Sequence, residues 1–299
     1  MFLRSLGCTK IQLGLQSNDD TILKKNKRGH SANDNKVACD LLRQFGFKIH
    51  GHVMTNLLGA TPKGDLKDFQ SFFHDLSLKP DELKVYPCML VEDTELYESY
   101  QQKQWQPYPQ QELEELLKSM LKIVPYWCRV SRMIRDFSKE DIVAGNKKAN
   151  LRQSLERELK DGQNPLKEIR SREVRNNHQN HFEPSLVTHE YMTGVSKEIF
   201  LEICNQENQI YGYLRLSLPQ QEAIIDELKN AAIVRELHIY GKSLPLKGPS
   251  LPGSQHRGYG TLLLQEAAKI ACQAGYNTLS VISGVGTRSY YRKKGFSDG

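Results

Sequence analysis

The residues of this chain whose types and spacing could do chemistry gather near its C-terminus. Gln255, Gly258 and Gly260 stand in SQHRGYGTLLLQEAAKIACQAGYN, just after the apolar run AAIVRELHIYG. An apolar strand, a glycine loop and a helix, in that order, bring unpaired amides and the positive end of a helix dipole to one place. Glycines one residue apart leave those amides without side chains in front of them, which suits an anion such as a pyrophosphate. They do nothing for the helix itself, since Ser or Asp caps better and glycine inside a helix costs about 1 kcal/mol relative to alanine. The same pair also fits a tight turn with no ligand. Further on stand two adjacent tyrosines, Tyr290 and Tyr291, in SYYRKKGF. Such a pair can serve a core, or a hydroxyl of it can serve as an acid.

A second chemistry is suggested by charge. The 299 residues carry 41 Lys/Arg against 35 Asp/Glu, a net of +6. Between Arg129 and Arg175 there are 13 Lys/Arg and 8 Asp/Glu, a net of +5. A concentrated excess of this kind suits a polyanion. RNA is the natural candidate, with Arg129, Arg132, Arg135, Arg170, Arg172 and Arg175 as phosphate contacts. The interleaved acids make an ordinary solvated basic surface an equal alternative. The six cysteines (8, 39, 88, 128, 204 and 272) are far apart and form no CxxC, so zinc-ribbon and redox spacings are excluded. A reduced, cytoplasmic protein is the plain reading. No run of about 18 apolar residues is present to span a membrane. MFLRSLGCTK lacks the apolar stretch of a secretory signal.

The elements that must position these residues follow from periodicity. Over residues 1–95, IQLGLQS, FKIHGHVMT and LKVYPCMLV read as strands. The stretch from Asn18 to Gly46 and LKDFQSFFHDLSLKPDE read as helical, with Gly46 as a C-cap. Strand and helix alternating at about 35 residues predicts βα units with a parallel sheet, whose sites lie in the loops after the strands. Residues 96–183 are a connecting region with a basic face, including a helix after the prolines of PYPQQELEELL. From 184 to 299, LVTHEYMT, KEIFLEICN, IYGYLRLSL, AAIVRELHIYG and LSVISGVGT read as strands of a mixed sheet, with a helix over 261–274 entered from the glycine loop. The fold class is α/β.

Gln-x-x-Gly-x-Gly before a helix resembles the acetyl-CoA loop of the GNAT acetyltransferases, and Tyr291-Arg-Lys-Lys-Gly-Phe resembles their Y-x-x-x-G-F segment. Together RELHIYG, SQHRGYGTLLLQEA and SVISGVGTRSYYRKKGF resemble one family, the catalytic subunit of Elongator. That family fuses a radical-SAM barrel to an acetyltransferase and modifies the wobble uridine of tRNA. SLGCTKIQLGLQS, NKRGH, MTNLLGATP and ELKVYPCMLV resemble the second half of its barrel, and RVSRMIRDF and IRSREV its linker.

The resemblance implies the C-terminal part of a radical-SAM partial TIM barrel over 1–95, a helical, basic linker over 96–183 and a GNAT-type mixed α/β acetyltransferase domain over 184–299. It implies acetyl-CoA contacts at Glu236, Leu237, His238, Ile239, Gln255, Gly258, Tyr259, Gly260, Thr261 and Tyr291. Tyr291 or its neighbour Tyr290 would be the catalytic acid. The implied activity is carboxymethylation of the wobble uridine at C5 with acetyl-CoA and S-adenosylmethionine. The implied partners are the tRNA anticodon arm and other Elongator subunits or a second copy of the chain, with no membrane.

Two departures stand out. Radical-SAM chemistry needs three closely spaced cysteines for a 4Fe-4S cluster, and none are present. The expectation is that the chain begins inside the barrel and stops short of the last strand, leaving S-adenosylmethionine and the cluster to a full-length parent. Where many bacterial members carry zinc-binding cysteines, this sequence has Leu166, Glu168 and Ser171, and no zinc is expected. A protein lysine acetyltransferase and a non-catalytic tRNA-binding remnant are the alternatives.

Overall fold

A computed structural model of the chain describes residues 2–134, 140–148, 150–160, 165–174, 185–240 and 258–298. Its strands are β1 (Lys10–Gln16), β2 (Lys48–Thr55), β3 (Glu82–Pro87), β4 (Leu90–Val91), β5 (Arg129–Arg132), β6 (Ile142–Ala144), β7 (Ser185–Met192), β8 (Ser196–Cys204), β9 (Ile210–Pro219), β10 (Ala231–Ile239) and β11 (Thr278–Val281). Two compact units result. One combines residues 1–11, 40–48 and 172–299, and the other 12–39 and 49–171.

In the second unit β1, β2, β3 and β5 form a sheet in that order, with β2–β3 and β3–β5 parallel. Helices supply one wall of its core. In the helix Gln110–Ile123, Leu113, Leu116, Leu117, Met120 and Leu121 are buried, the i, i+3, i+4, i+7, i+8 stripe of a helix with one apolar face. Each such leucine contributes about 2 kcal/mol by leaving water. That helix packs on helix Pro62–His74, which buries Phe69, Phe72 and Phe73. Thr61 caps the latter by accepting from the Gly64 amide, and Pro62 supplies a pre-set first turn. The helical stretch expected over 18–46 is two helices, Asp20–Lys25 and Ala32–Gln44. They are separated where Lys27 and Gly29 take positive φ. Gly46 ends the second as expected, with Gly46 N–H donating to Arg43 O and Phe47 N–H to Leu42 O. The strand expected over 83–91 is broken into β3 and β4, and β4 pairs antiparallel with β6.

In the first unit the sheet order is β11-β10-β9-β8-β7, antiparallel throughout except for β10–β11. One face is covered by helix Tyr259–Gln273, which packs Leu263, Leu264, Ala267 and Ala271 onto Leu201, Leu214, Leu216 and Val234. The other face carries charge in ion pairs. Arg235 meets Glu198 at 2.7 Å and Arg215 meets Glu236 at 2.9 Å, with both arginines essentially buried. The last expected strand is shorter than its sequence pattern, since LSVISGVGT gives β11 followed by a 3-10 turn at Val285–Thr287.

Candidate functional site

The β10–β11 ladder runs from Ala231–Thr278 to Val234–Val281 and ends there, whereas β10 stays paired with β9 out to Ile239. A β-bulge accompanies the divergence. Val234 faces Leu216 and Glu236 faces Arg215, so Arg235 is the extra residue. Beyond it lie Glu236, Leu237, His238 and Ile239. Close approach of β9 to this stretch requires Gly212, where a Cβ would come 2.5 Å from Ile239 Cδ1 and 2.9 Å from His238 O.

Helix Tyr259–Gln273 begins beside this stretch. Its N-cap, Gly258, has φ 78°, the left-handed region that glycine enters without penalty, and a Cβ there would meet nothing within 4 Å. Gly260 is constrained differently. A Cβ on it would lie 2.5 Å from Tyr290 Oη and 3.8 Å from Ile239 Cγ1. The two glycines therefore do separate jobs, one of backbone shape and one of close packing. The helix begins two residues before the expected 261, at Tyr259, whose ring meets that of Tyr211 at 6.3 Å. Thr261 Oγ1 accepts from Lys294 Nζ at 2.6 Å.

Tyr290 and Tyr291 lie on the short helix Arg288–Arg292, their rings 5.2 Å apart. Tyr291 is buried edge-on to Phe296. Burial pushes its pKa up to about 12, with the charges of Tyr290 and Glu236 adding. Tyr290 is more exposed and its hydroxyl stands at the first turn of helix Tyr259–Gln273. The structure thus brings Ile239, Gly260 and Tyr290 together, with Glu236 close enough to Tyr291 to be felt electrostatically. Gln255 lies outside the described residues.

Glu236 has partners that the sequence did not announce. Its carboxylate accepts from Lys48 Nζ at 2.6 Å, Tyr213 Oη at 2.9 Å and Arg215 Nε at 2.9 Å. Burial alone would raise its pKa, but the two cations hold it down at about 2. No spacing rule connects Lys48 with Glu236 across the chain. Only Gly212 left a trace, as a glycine inside a strand pattern. His238 is exposed, with its ring 5.6 Å from that of Tyr213 and 4.4 Å from that of Tyr240.

The four described arginines among the six expected to meet phosphate differ in their surroundings. Arg172 is 5% exposed and makes a two-pronged contact with Glu202, at 3.1 and 2.6 Å, while also donating to Asn208. It is therefore a structural ion pair rather than a phosphate contact. Arg129 pairs with Glu82 at 3.3 Å and Arg170 donates to the Ser131 carbonyl. Arg132 is exposed. Arg135 and Arg175 lie outside the described residues.

Glu168, one of the positions considered for zinc, is fully buried. It accepts from Val130 N, Arg170 N, Ser171 N and Ser171 Oγ, and pairs with Arg152. A carboxylate saturated with donors in this way has no lone pair left for a metal. Among the described residues no three His, Cys, Asp or Glu gather as metal ligands. The cysteines present do not fit an iron–sulfur cluster. No helix among the described residues is long and apolar enough to cross a membrane.

Comparison with known proteins agrees with this architecture. The Radical_SAM C-terminal domain family matches residues 80–161. The chain is 37% identical to the tRNA uridine(34) acetyltransferase of Dehalococcoides mccartyi, over 97% of this chain and 64% of that protein. It is 34% identical to Elongator complex protein 3 of Homo sapiens, over 97% of this chain and 54% of that protein. The chain thus spans between about half and two thirds of these curated relatives. Among solved structures it resembles the archaeal Methanocaldococcus infernus Elp3 with an N-terminal deletion. The TM-score is 0.87 at 33% identity, covering 99% of this chain and 72% of that one. With this sequence likeness and this shared fold, the chain belongs to the family of Elongator complex protein 3 and the tRNA uridine(34) acetyltransferases.

Proposed function

We propose that the chain serves tRNA wobble-uridine modification, and that its C-terminal unit binds acetyl-CoA as a GNAT-type domain. The observation that carries this reading is the meeting of Ile239, Gly260 and Tyr290 where β10 leaves β11. Amides at the start of helix Tyr259–Gln273 face a position with no Cβ at Gly258, a shape and polarity that fit a pyrophosphate. The backbone of 236–239, past the end of the β11 ladder, suits the amides of a pantetheine arm.

When bound, acetyl-CoA supplies a two-carbon acyl group on a thioester. The chain binds and orients it, and holds a proton at Tyr291 Oη or Tyr290 Oη. Burial pushes the pKa of Tyr291 up to about 12, so its hydroxyl is protonated at neutral pH and can donate a hydrogen bond to a sulfur that is gaining negative charge. The family's C5 carboxymethylation with S-adenosylmethionine belongs to this reading for the whole protein. No step is assigned to a cluster, because the cysteines described do not fit one.

The lysine acetyltransferase alternative fares worse at this site. It needs a base for an ammonium group, and Glu236, the carboxylate described on this stretch of β10, is held at about 2 by Lys48 and Arg215. So low a pKa makes a weak base. On the RNA side, the proposed phosphate contacts are Arg129, Arg132, Arg135, Arg170 and Arg175, with Arg132 exposed. tRNA, through its anticodon arm, is the partner, and the cytoplasm is the compartment where it would be met.

The test is calorimetric titration of the full chain with acetyl-CoA, then measurement of free thiol release with and without tRNA. Saturable binding and tRNA-dependent thioester cleavage support the reading. A folded chain that binds tRNA but no acetyl-CoA would leave only the RNA-binding alternative.

A further inference from the structure

Two consecutive residues of the β10 bulge grip two consecutive residues of the same compact unit, Phe47 just before β2 and Lys48 at its first position. Arg235 Nη1 donates to the Phe47 carbonyl at 3.0 Å, and the next residue, Glu236, accepts from Lys48 Nζ at 2.6 Å. Both grips are well shielded from water. Arg235 is 1% exposed, and the Lys48 and Glu236 side chains are 13% and 14% exposed. From the β9 side, Arg215 and Tyr213 fix the same carboxylate. The bulge leaves Arg235 out of the ladder, and past it β10 is held by β9 on one side only, so side chains on the other side add to what that single ladder fixes. The bulge is also the place where the β10–β11 ladder ends.

We propose that Lys48 is a positioning residue for acetyl-CoA: with the Phe47 carbonyl it clamps the β10 bulge, and so holds the backbone of 236–239 in place for the pantetheine arm. This rests on the acetyl-CoA reading above. Lys48 touches no ligand in the proposal and acts only through Glu236. The clamp's target is the strand, not the helix N-terminus. Loss of Lys48 should therefore weaken the pantetheine half of the ligand and spare the nucleotide half. The charge of Glu236 also reaches Tyr291, so a displaced carboxylate should alter the proton affinity of that hydroxyl.

The experiment compares the full chain with Lys48→Met, Lys48→Arg and Glu236→Gln. Each is titrated by calorimetry with CoA and with adenosine 3′,5′-bisphosphate, which lacks the pantetheine, and each melting temperature is recorded. For Lys48→Met, about tenfold weaker CoA binding, roughly 1.4 kcal/mol, is expected, with nucleotide affinity unchanged. Lys48→Arg should restore most of the loss, because arginine can still pair with the carboxylate. Glu236→Gln removes the same pair from the other side and should show the same split, which keeps the test intact if Lys48→Met does not fold. Equal weakening of both ligands, or CoA affinity unchanged in folded variants of both positions, overturns the positioning role. A native chain that binds neither ligand overturns instead the acetyl-CoA reading on which the role depends.

Discussion

The hydroxyl of Tyr290 occupies the space that a side chain on Gly260 would need, 2.5 Å from where its Cβ would stand. Tyr290 is 38% exposed, so its ring can swing aside, at the cost of the packing at the helix start. Alanine is preferred over glycine within a helix by about 1 kcal/mol. Gly260→Ala should therefore give little or no gain in the native chain, and a clear gain when Tyr290→Phe has removed the hydroxyl. Chemical denaturation of the two single variants and the double variant measures that coupling. Additive effects would mean that the two residues do not meet.

Tyr291→Phe should leave acetyl-CoA affinity within about twofold and slow thioester cleavage by about 10²–10⁴-fold, the range for a lost acid–base group. Tyr290→Phe, measured beside it, assigns the role. The variant with the larger loss of rate at unchanged affinity carries the proton.

Arg172→Ala should destabilise the fold by about 3 kcal/mol, since it leaves Glu202 buried with a partner missing. It should not change the salt dependence of tRNA binding. Arg132→Glu and Arg170→Glu should weaken tRNA binding and lower the salt slope by about 1 for each lost phosphate contact. Filter binding across a salt series separates the two groups. The same slope for the native chain and for Arg132→Glu would remove that residue from the interface.

Asp65 gives the fold a pH dependence of known sign. Burial raises its pKa from 3.8 to about 6, against hydrogen bonds from Asn56 N–H and Tyr108 Oη that favour the ionised form. The folded state thus holds the proton more tightly than the unfolded chain. The stability that this proton contributes is complete below about pH 4 and is lost as pH rises through about 6. The difference is roughly 3 kcal/mol at 1.36 kcal/mol per pKa unit. Urea unfolding between pH 4 and pH 7 should show stability falling with pH from this group, and Asp65→Asn should flatten that part of the curve.

Strands and helices with one apolar face were legible in the sequence. IYGYLRLSL and AAIVRELHIYG read as strands, and QQELEELLKSMLKI as a helix, because their apolar residues keep one period. The glycine loop and the tyrosine pair were legible too, as short-range patterns. What escaped depends on contacts remote in sequence. A count of charges cannot tell Arg172, buried against Glu202, from Arg132 at the surface. Nor can it find Lys48, whose partner lies 188 residues away. Nor does the sequence say which of the two glycines takes positive φ: it is Gly258, because a residue in that conformation lies outside the helix that Gly260 has already joined.

In the proposed complex acetyl-CoA lies between the end of β10 and the start of helix Tyr259–Gln273. Amide hydrogen exchange of the full chain, with and without saturating acetyl-CoA, tests it most directly, because it reports the backbone groups said to hold the ligand. Added protection is expected at 236–239 and at the first turn of that helix, with β7 and β8 unchanged. Measurable binding with protection confined to other segments would contradict that placement.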